Sequence, residues 1–227
     1  MLASPLPLPS HHREALIEKA SIPWTPKDGF HWDSSPLTTS TPFGIYYGPL
    51  SAEAAETSLS ALWHLRFMGC QVPPCISTND PILETLFLVS PPPASSATAH
   101  SLGSFPLPLL QSFRSLPDKV IKELVFLLVT VFLSPYSPVR SLGDLITLDL
   151  STSSFVLLPC EWRLRGPTPR GFGRSCSELL DGIPSHLHPF LLDHLDSPEI
   201  LSRLDPHTPF FCPSRWRALL YWMRSLR

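Results

Sequence analysis

The sequence predicts an α+β fold, a single mixed domain with short strands and several short helices behind a flexible N-terminal arm, and three observations carry that reading. Residues 51–69 and 115–135 place apolar side chains at helical spacing between start and stop signals. Residues 144–158 read as a β-hairpin, alternating from Ile146 to Leu150, turning at the Ser/Thr cluster 151–154 and returning through the apolar run 155–158. The 227 residues hold 28 prolines, about twice the usual share of ~5%, but only 10 glycines, so the elements must be short and parted by stiff turns. An apolar content of 43% in a chain of this length supports a real core and excludes a wholly disordered protein. A formal charge of -2 selects no class of partner by itself.

Taken in order, residues 1–40 are rich in Ser, Thr and Pro and read as a flexible Pro/Ser-rich arm, with a short helix at residues 12–20. Trp24, Phe30 and Trp32 interrupt that pattern, and such large rings either fold back onto the domain or serve a partner. The mixed α+β domain then spans residues 41–227. Phe43 to Tyr47 is β-prone and Gly48-Pro49 breaks it. Ser51 caps a helix in which Ala54, Ala55, Leu59, Leu62, Trp63, Leu65 and Phe67 recur at helical spacing, and Gly69 ends it. Residues 81–89 read as a second strand, and residues 91–104 as a Pro/Ser-rich loop.

The segment at 115–135 holds the longest apolar run. Pro117 is expected in the first turn, Asp118 lies near the positive end of the helix dipole, and Pro135 and Pro138 stop the helix. The run of about ten apolar residues is half of the roughly 20 that cross a bilayer, so no transmembrane span is expected. Beyond the hairpin, short helices parted by proline are expected near residues 176–180, 189–195 and 198–204. The last fourteen residues form a helix with Trp216, Leu219, Leu220, Trp222, Met223 and Leu226 on one face, flanked by Arg215, Arg217, Arg224 and Arg227. Such a basic amphipathic helix either docks on the core or makes peripheral contact with a membrane or a partner groove.

Candidate chemistry is sparse. The five cysteines are an odd number and no apolar leader opens the sequence, which points to reduced thiols in the cytoplasm or nucleus. His186, His188 and His194 lie near Asp193, Asp196 and Cys176, but they meet no standard ligand spacing, so no metal and no cofactor are assigned. Ser185 stands beside them without a nucleophile elbow, and the chain is read as a non-enzyme. Arg163, Arg165, Arg170 and Arg174, interleaved with Trp162, Phe172 and glycines, suit RNA or phosphate, and Arg215 and Arg217 add to that set. Arginines snorkelling over aromatic rings in a solvated loop give the same pattern.

Leu116-Pro117, Asp118-Lys119, Val120-Ile121, Leu124-Val125 and Leu128, with Pro135 or Pro138 beyond, resemble the F-box, the helical adaptor that docks target-binding subunits onto the linker protein of cullin ubiquitin ligases. The resemblance covers about twenty residues. It implies that Leu116, Pro117, Val120, Ile121 and Leu124 form an apolar docking ridge that fills a partner groove. The RNA-silencing suppressors of poleroviruses carry such a minimal F-box in a chain of about this size. The leucine-, serine- and proline-rich composition also resembles a reading frame constrained by an overlapping gene. Similarity to that group implies recruitment of a host ubiquitin ligase to mark a host target, an Argonaute protein, for degradation. The leading expectation is therefore an adaptor acting through the cullin-ligase linker protein and a host target. The second is an RNA- or phosphate-binding accessory protein using the arginines.

Overall fold

The computed structural model describes residues 5–20, 24–25, 29–30, 36–80, 85–92, 98–167, 176–195, 197–204 and 212–225. Strand β1 (Leu6–Pro7) and helix α1 (Ser10–Ala20) come first, followed by the two-strand ribbon of β2 (Trp24–Thr25) and β3 (Gly29–Phe30). Strands β4 (Leu37–Thr41) and β5 (Gly44–Leu50), helix α2 (Ala52–Phe67), and strands β6 (Ile76–Asp80) and β7 (Thr85–Ser90) complete the N-terminal half. Five of these strands form a sheet in the order β1-β6-β7-β5-β4, antiparallel except for the β1–β6 pair.

Strand alternation decides which side chains go to which face. Tyr46 and Phe87 cluster with Leu8 and Leu16 on the α1 side, while their chain neighbours Tyr47 and Leu88 join the main core with Leu62 and Leu65 of α2. Residues 5–20, inside the segment read as an arm, thus supply an edge strand and a covering helix. Arg13 Nε donates to the buried Asp80 Oδ2 at 2.6 Å and ties α1 to β6. Trp24 and Phe30 pair as strand backbone, and Trp32 lies outside the described residues. The β6 strand, Ile-Ser-Thr-Asn-Asp, was not expected from its polar composition; hydrogen bonding to β7 makes it a strand.

The C-terminal half runs β8 (Ala99–Ser101), α3 (Leu110–Arg114), α4 (Asp118–Leu133), β9 (Tyr136–Pro138), α5 (Leu142–Leu145), β10 (Ile146–Asp149), β11 (Ser154–Leu157), β12 (Trp162–Leu164), α6 (His188–Leu195), α7 (Pro198–Arg203) and α8 (Pro213–Ser225). The expected hairpin is present: β10 and β11 pair antiparallel through a turn that puts Ser153 at φ 49°. A third strand, β8, adds to it from the stretch read as a loop, and a 3-10 turn there buries Leu102. That loop reading is corrected because the backbone of β10 offers a second edge and Leu102 has a core to enter. In a separate pairing, β12 aligns with β9.

Helix α4 is the centre of the core. Every side chain from Leu124 to Leu133 is buried, so the helix is covered all round, as a helix with no continuous polar face must be. Pro117 occupies its N-cap instead of the first turn, and Asp118 opens the helix. Helix α2 starts where Ser51 Oγ accepts the Ala54 N–H at 3.2 Å and ends before Gly69, whose φ of 87° favours glycine. Helix α8 sends Leu219, Trp222 and Met223 into the same core. The architecture is an α+β single domain. No helix among the described residues is long and apolar enough to cross a membrane.

Candidate functional site

The Leu-Pro turn ahead of α4 is where the sequence places its docking ridge. Pro117, Asp118 and Lys119 are exposed there, and Val120 is half-buried. Leu116 is largely covered but forms part of the wall of an open pocket of about 640 Å³, with Leu109, Gln111, Ser115, Leu150 and Ser151. Ile121 and Leu124 are fully buried, so they cannot belong to a surface ridge in this fold. The correction follows from helical period: Ile121, Leu124, Val125 and Leu128, spaced by three and four, share one face, and that face of α4 is turned into the core.

Ion pairs hold this turn at the surface. Lys122 Nζ bonds Asp118 Oδ2 at 2.5 Å and Glu199 Oε2 at 2.7 Å, linking α4 to α7, while His194 Nε2 on α6 reaches Asp118 Oδ1 at 3.1 Å. The hydrogen bond from Lys122 holds the Asp118 carboxyl below the usual carboxylate range. Arg203 donates to both oxygens of Glu123, at 2.7 and 3.2 Å, and lies over the Phe126 ring. The first turn of α4 is therefore fixed from two neighbouring helices.

The arginines do not form one surface. Arg163 is exposed and pairs with Glu161 at 3.0 Å, and Arg217 is exposed on α8. Arg165 and Arg215 are buried and share Glu178, Arg215 Nη1 at 3.0 Å from its Oε2 and Arg165 Nη1 against its Oε1. Arg165 also donates to the carbonyls of Tyr136 (2.7 Å) and Val131 (3.1 Å), which caps the buried end of α4. Burial, with the neighbouring Arg215 charge, lowers the Arg165 guanidinium to about 9. These two arginines are structural and cannot reach a nucleic acid, which corrects the expectation for them. Arg170 and Arg174 lie outside the described residues.

Two of the three histidines, His188 and His194, are also occupied locally. His188 Nε2 bonds the Ile183 carbonyl at 2.7 Å, and His194 Nδ1 that of Phe190 at 2.9 Å. No group of three or more potential metal ligands forms among the described residues. None of Cys70, Cys75, Cys160, Cys176 and Cys212 forms a disulfide. Burial pushes Cys70 and Cys75 up to about 12 and Cys176 up to about 11, which keeps them protonated and poor nucleophiles at neutral pH.

One surface was missed in the sequence. Trp63 and Phe67 on α2 are 57% and 59% exposed and stack on each other, ring centroids 5.3 Å apart. Both count toward the apolar periodicity of that helix, but the inward face belongs to Ala55, Ser58, Ala61, Leu62 and Leu65. The available signal was that Leu59, Trp63 and Phe67, spaced by four, form a second stripe. The sequence matches no protein-family profile and no curated protein.

Proposed function

We propose that this protein is an interaction adaptor of F-box type, docking on the linker protein of a cullin ubiquitin ligase through the Leu116-Pro117 turn. The observation that carries the reading is the geometry of that turn. Pro117, Asp118 and Lys119 stand at the surface beside an open pocket walled partly by Leu116, while Ile121 and Leu124 anchor the following helix in the core. A rigid, partly apolar corner presented on a buried helix loses little conformational freedom on binding. The docking set is accordingly Leu116, Pro117 and the exposed edge of Val120. In this reading the rest of the domain holds the host target, as in the silencing suppressors that the motif resembles.

The test is a pull-down of the linker protein with wild type, Leu116→Ala and Pro117→Ala, each variant checked by circular dichroism. Loss of capture by a folded Pro117→Ala protein is the expected result. A wild type that captures no linker protein ends the F-box reading.

A further inference from the structure

The exposed stripe of α2 forms one wall of a groove of about 570 Å³, on a different element from the Leu-Pro turn. Leu59, Trp63 and Phe67 line the helix side and Ile76, itself 46% exposed, lines the β6 side. Its volume and its mainly apolar lining with few polar groups are those of a ligand groove. Two polar features say what kind. Arg66 stands in the same lining, exposed, and its guanidinium makes no ion pair among the described residues. Ser77 is among the lining residues, and its Oγ is buried with no hydrogen-bond partner among the described residues. Among the described residues no carboxylate lines the groove.

We propose that this groove docks a short peptide segment of a partner protein, one that carries an apolar or aromatic anchor beside a carboxylate. The anchor packs against the Trp63–Phe67 stack, and the carboxylate pairs with Arg66. The stripe from Leu59 to Phe67 extends about 12 Å along the helix, the length of roughly four residues of extended chain. A second copy of this chain is the poorer occupant, because a two-fold contact sets the same patch against itself and brings Arg66 onto Arg66. Aromatic side chains flanked by an arginine are also the composition of binding hot spots.

The experiment is fluorescence anisotropy with a pair of short labelled peptides that share Leu and Phe anchors, one carrying glutamates and the other lysines. Wild type is expected to bind the glutamate peptide more tightly. Arg66→Glu, a change at an exposed residue, reverses that preference. Trp63→Ala weakens binding of the glutamate peptide by roughly tenfold or more. Absence of saturable binding by either peptide overturns the proposal, and so does a preference that Arg66→Glu leaves in place. Concentration-dependent dimerisation lost in Trp63→Ala overturns it in favour of self-association. Leu116→Ala/Pro117→Ala keeps peptide binding, so a failed F-box reading and a failed groove are told apart.

Discussion

The Trp162 backbone N–H donates to the Ser58 hydroxyl at 2.9 Å, and that hydroxyl donates in turn to the Ala54 carbonyl at 2.6 Å. One buried side chain thus joins β12 to α2 across 104 residues of sequence. Ser58→Ala leaves the Trp162 N–H buried without its acceptor, at a cost of about 1–3 kcal/mol. The midpoint of urea unfolding should fall accordingly, with little change in slope, because the surface exposed on unfolding stays the same.

Ser58 also marks the boundary of what the sequence discloses. Apolar period and end signals locate α2, α4 and the β10–β11 hairpin, because each depends on residues close in the chain. A serine inside α2 carries no local signal, since its acceptor role depends on a strand that folds in from far away. The same holds for β6, whose Ile-Ser-Thr-Asn-Asp sequence becomes a strand only beside β7. It holds for Arg165 and Arg215, which look like surface cations until Glu178 meets them from a separate turn. At the candidate sites, Leu116-Pro117 was legible as a turn, but period alone did not tell that Ile121 and Leu124 point inward from an all-round buried helix. Trp63 and Phe67 count in the same helical period as the inward residues of α2, and period alone does not tell their face, because large apolar side chains at that spacing fit either one.

The inward course of α4 gives a second prediction. Ile121→Ala removes a fully buried side chain from the main core and should destabilise the fold by about 2–5 kcal/mol. Pro117→Ala changes an exposed N-cap residue and should leave the thermal midpoint much closer to that of wild type. Differential scanning fluorimetry of the two variants separates them. Equal loss in both would mean that the turn, too, is core.

Three glycines meet where the 3-10 turn after β8, helix α5 and the turn at Gly182 converge. A Cβ on Gly143 would lie 2.0 Å from the Gly182 carbonyl oxygen and 2.9 Å from the Gly103 Cα, with backbone on both sides. Gly143→Ala therefore forces the segments apart and should cost about 1–3 kcal/mol. Gly166→Ala is the matched control, since no described atom lies within 4 Å of the added carbon. Urea titration of both variants checks the difference.

Acid should loosen helix α1 before the rest. His12 Nδ1 and the Tyr46 hydroxyl are 2.5 Å apart. Burial raises the Tyr46 phenol to about 12, so it keeps its proton and donates. Burial, and then the neighbouring His11, hold His12 below the ordinary histidine value of 6.5, so it stays neutral and accepts. A folded pKa below the unfolded one means that this contribution is complete above about pH 6.5 and declines as pH falls below it. Protonation removes the acceptor. Asp80, the carboxylate that reaches α1 from β6, is already paired with Arg13. Hydrogen exchange across residues 10–20 should accelerate between pH 7 and pH 5 relative to α4, and His12→Gln should flatten that dependence. The buried His64 is likewise held low by burial, but it belongs to α2, so its effect falls outside the α1 amides.

Glu178 holds two guanidiniums whose side chains are only 8% and 5% exposed, those of Arg165 and Arg215. Arg165 in turn serves the carbonyls of Val131 and Tyr136 at the end of α4, and Arg215 lies 5.3 Å from the centre of the Phe132 ring. One carboxylate therefore fastens α8 and the β12 segment to the central helix. Glu178→Gln keeps the shape but takes the shared carboxylate away from two buried guanidiniums, a loss of about 3–5 kcal/mol. Removing one cation as well should recover part of that loss, so the double variant Glu178→Gln/Arg215→Met is expected to unfold at higher urea than Glu178→Gln alone. A double variant no more stable than Glu178→Gln would show that the pairing is screened by solvent and contributes little to holding α8.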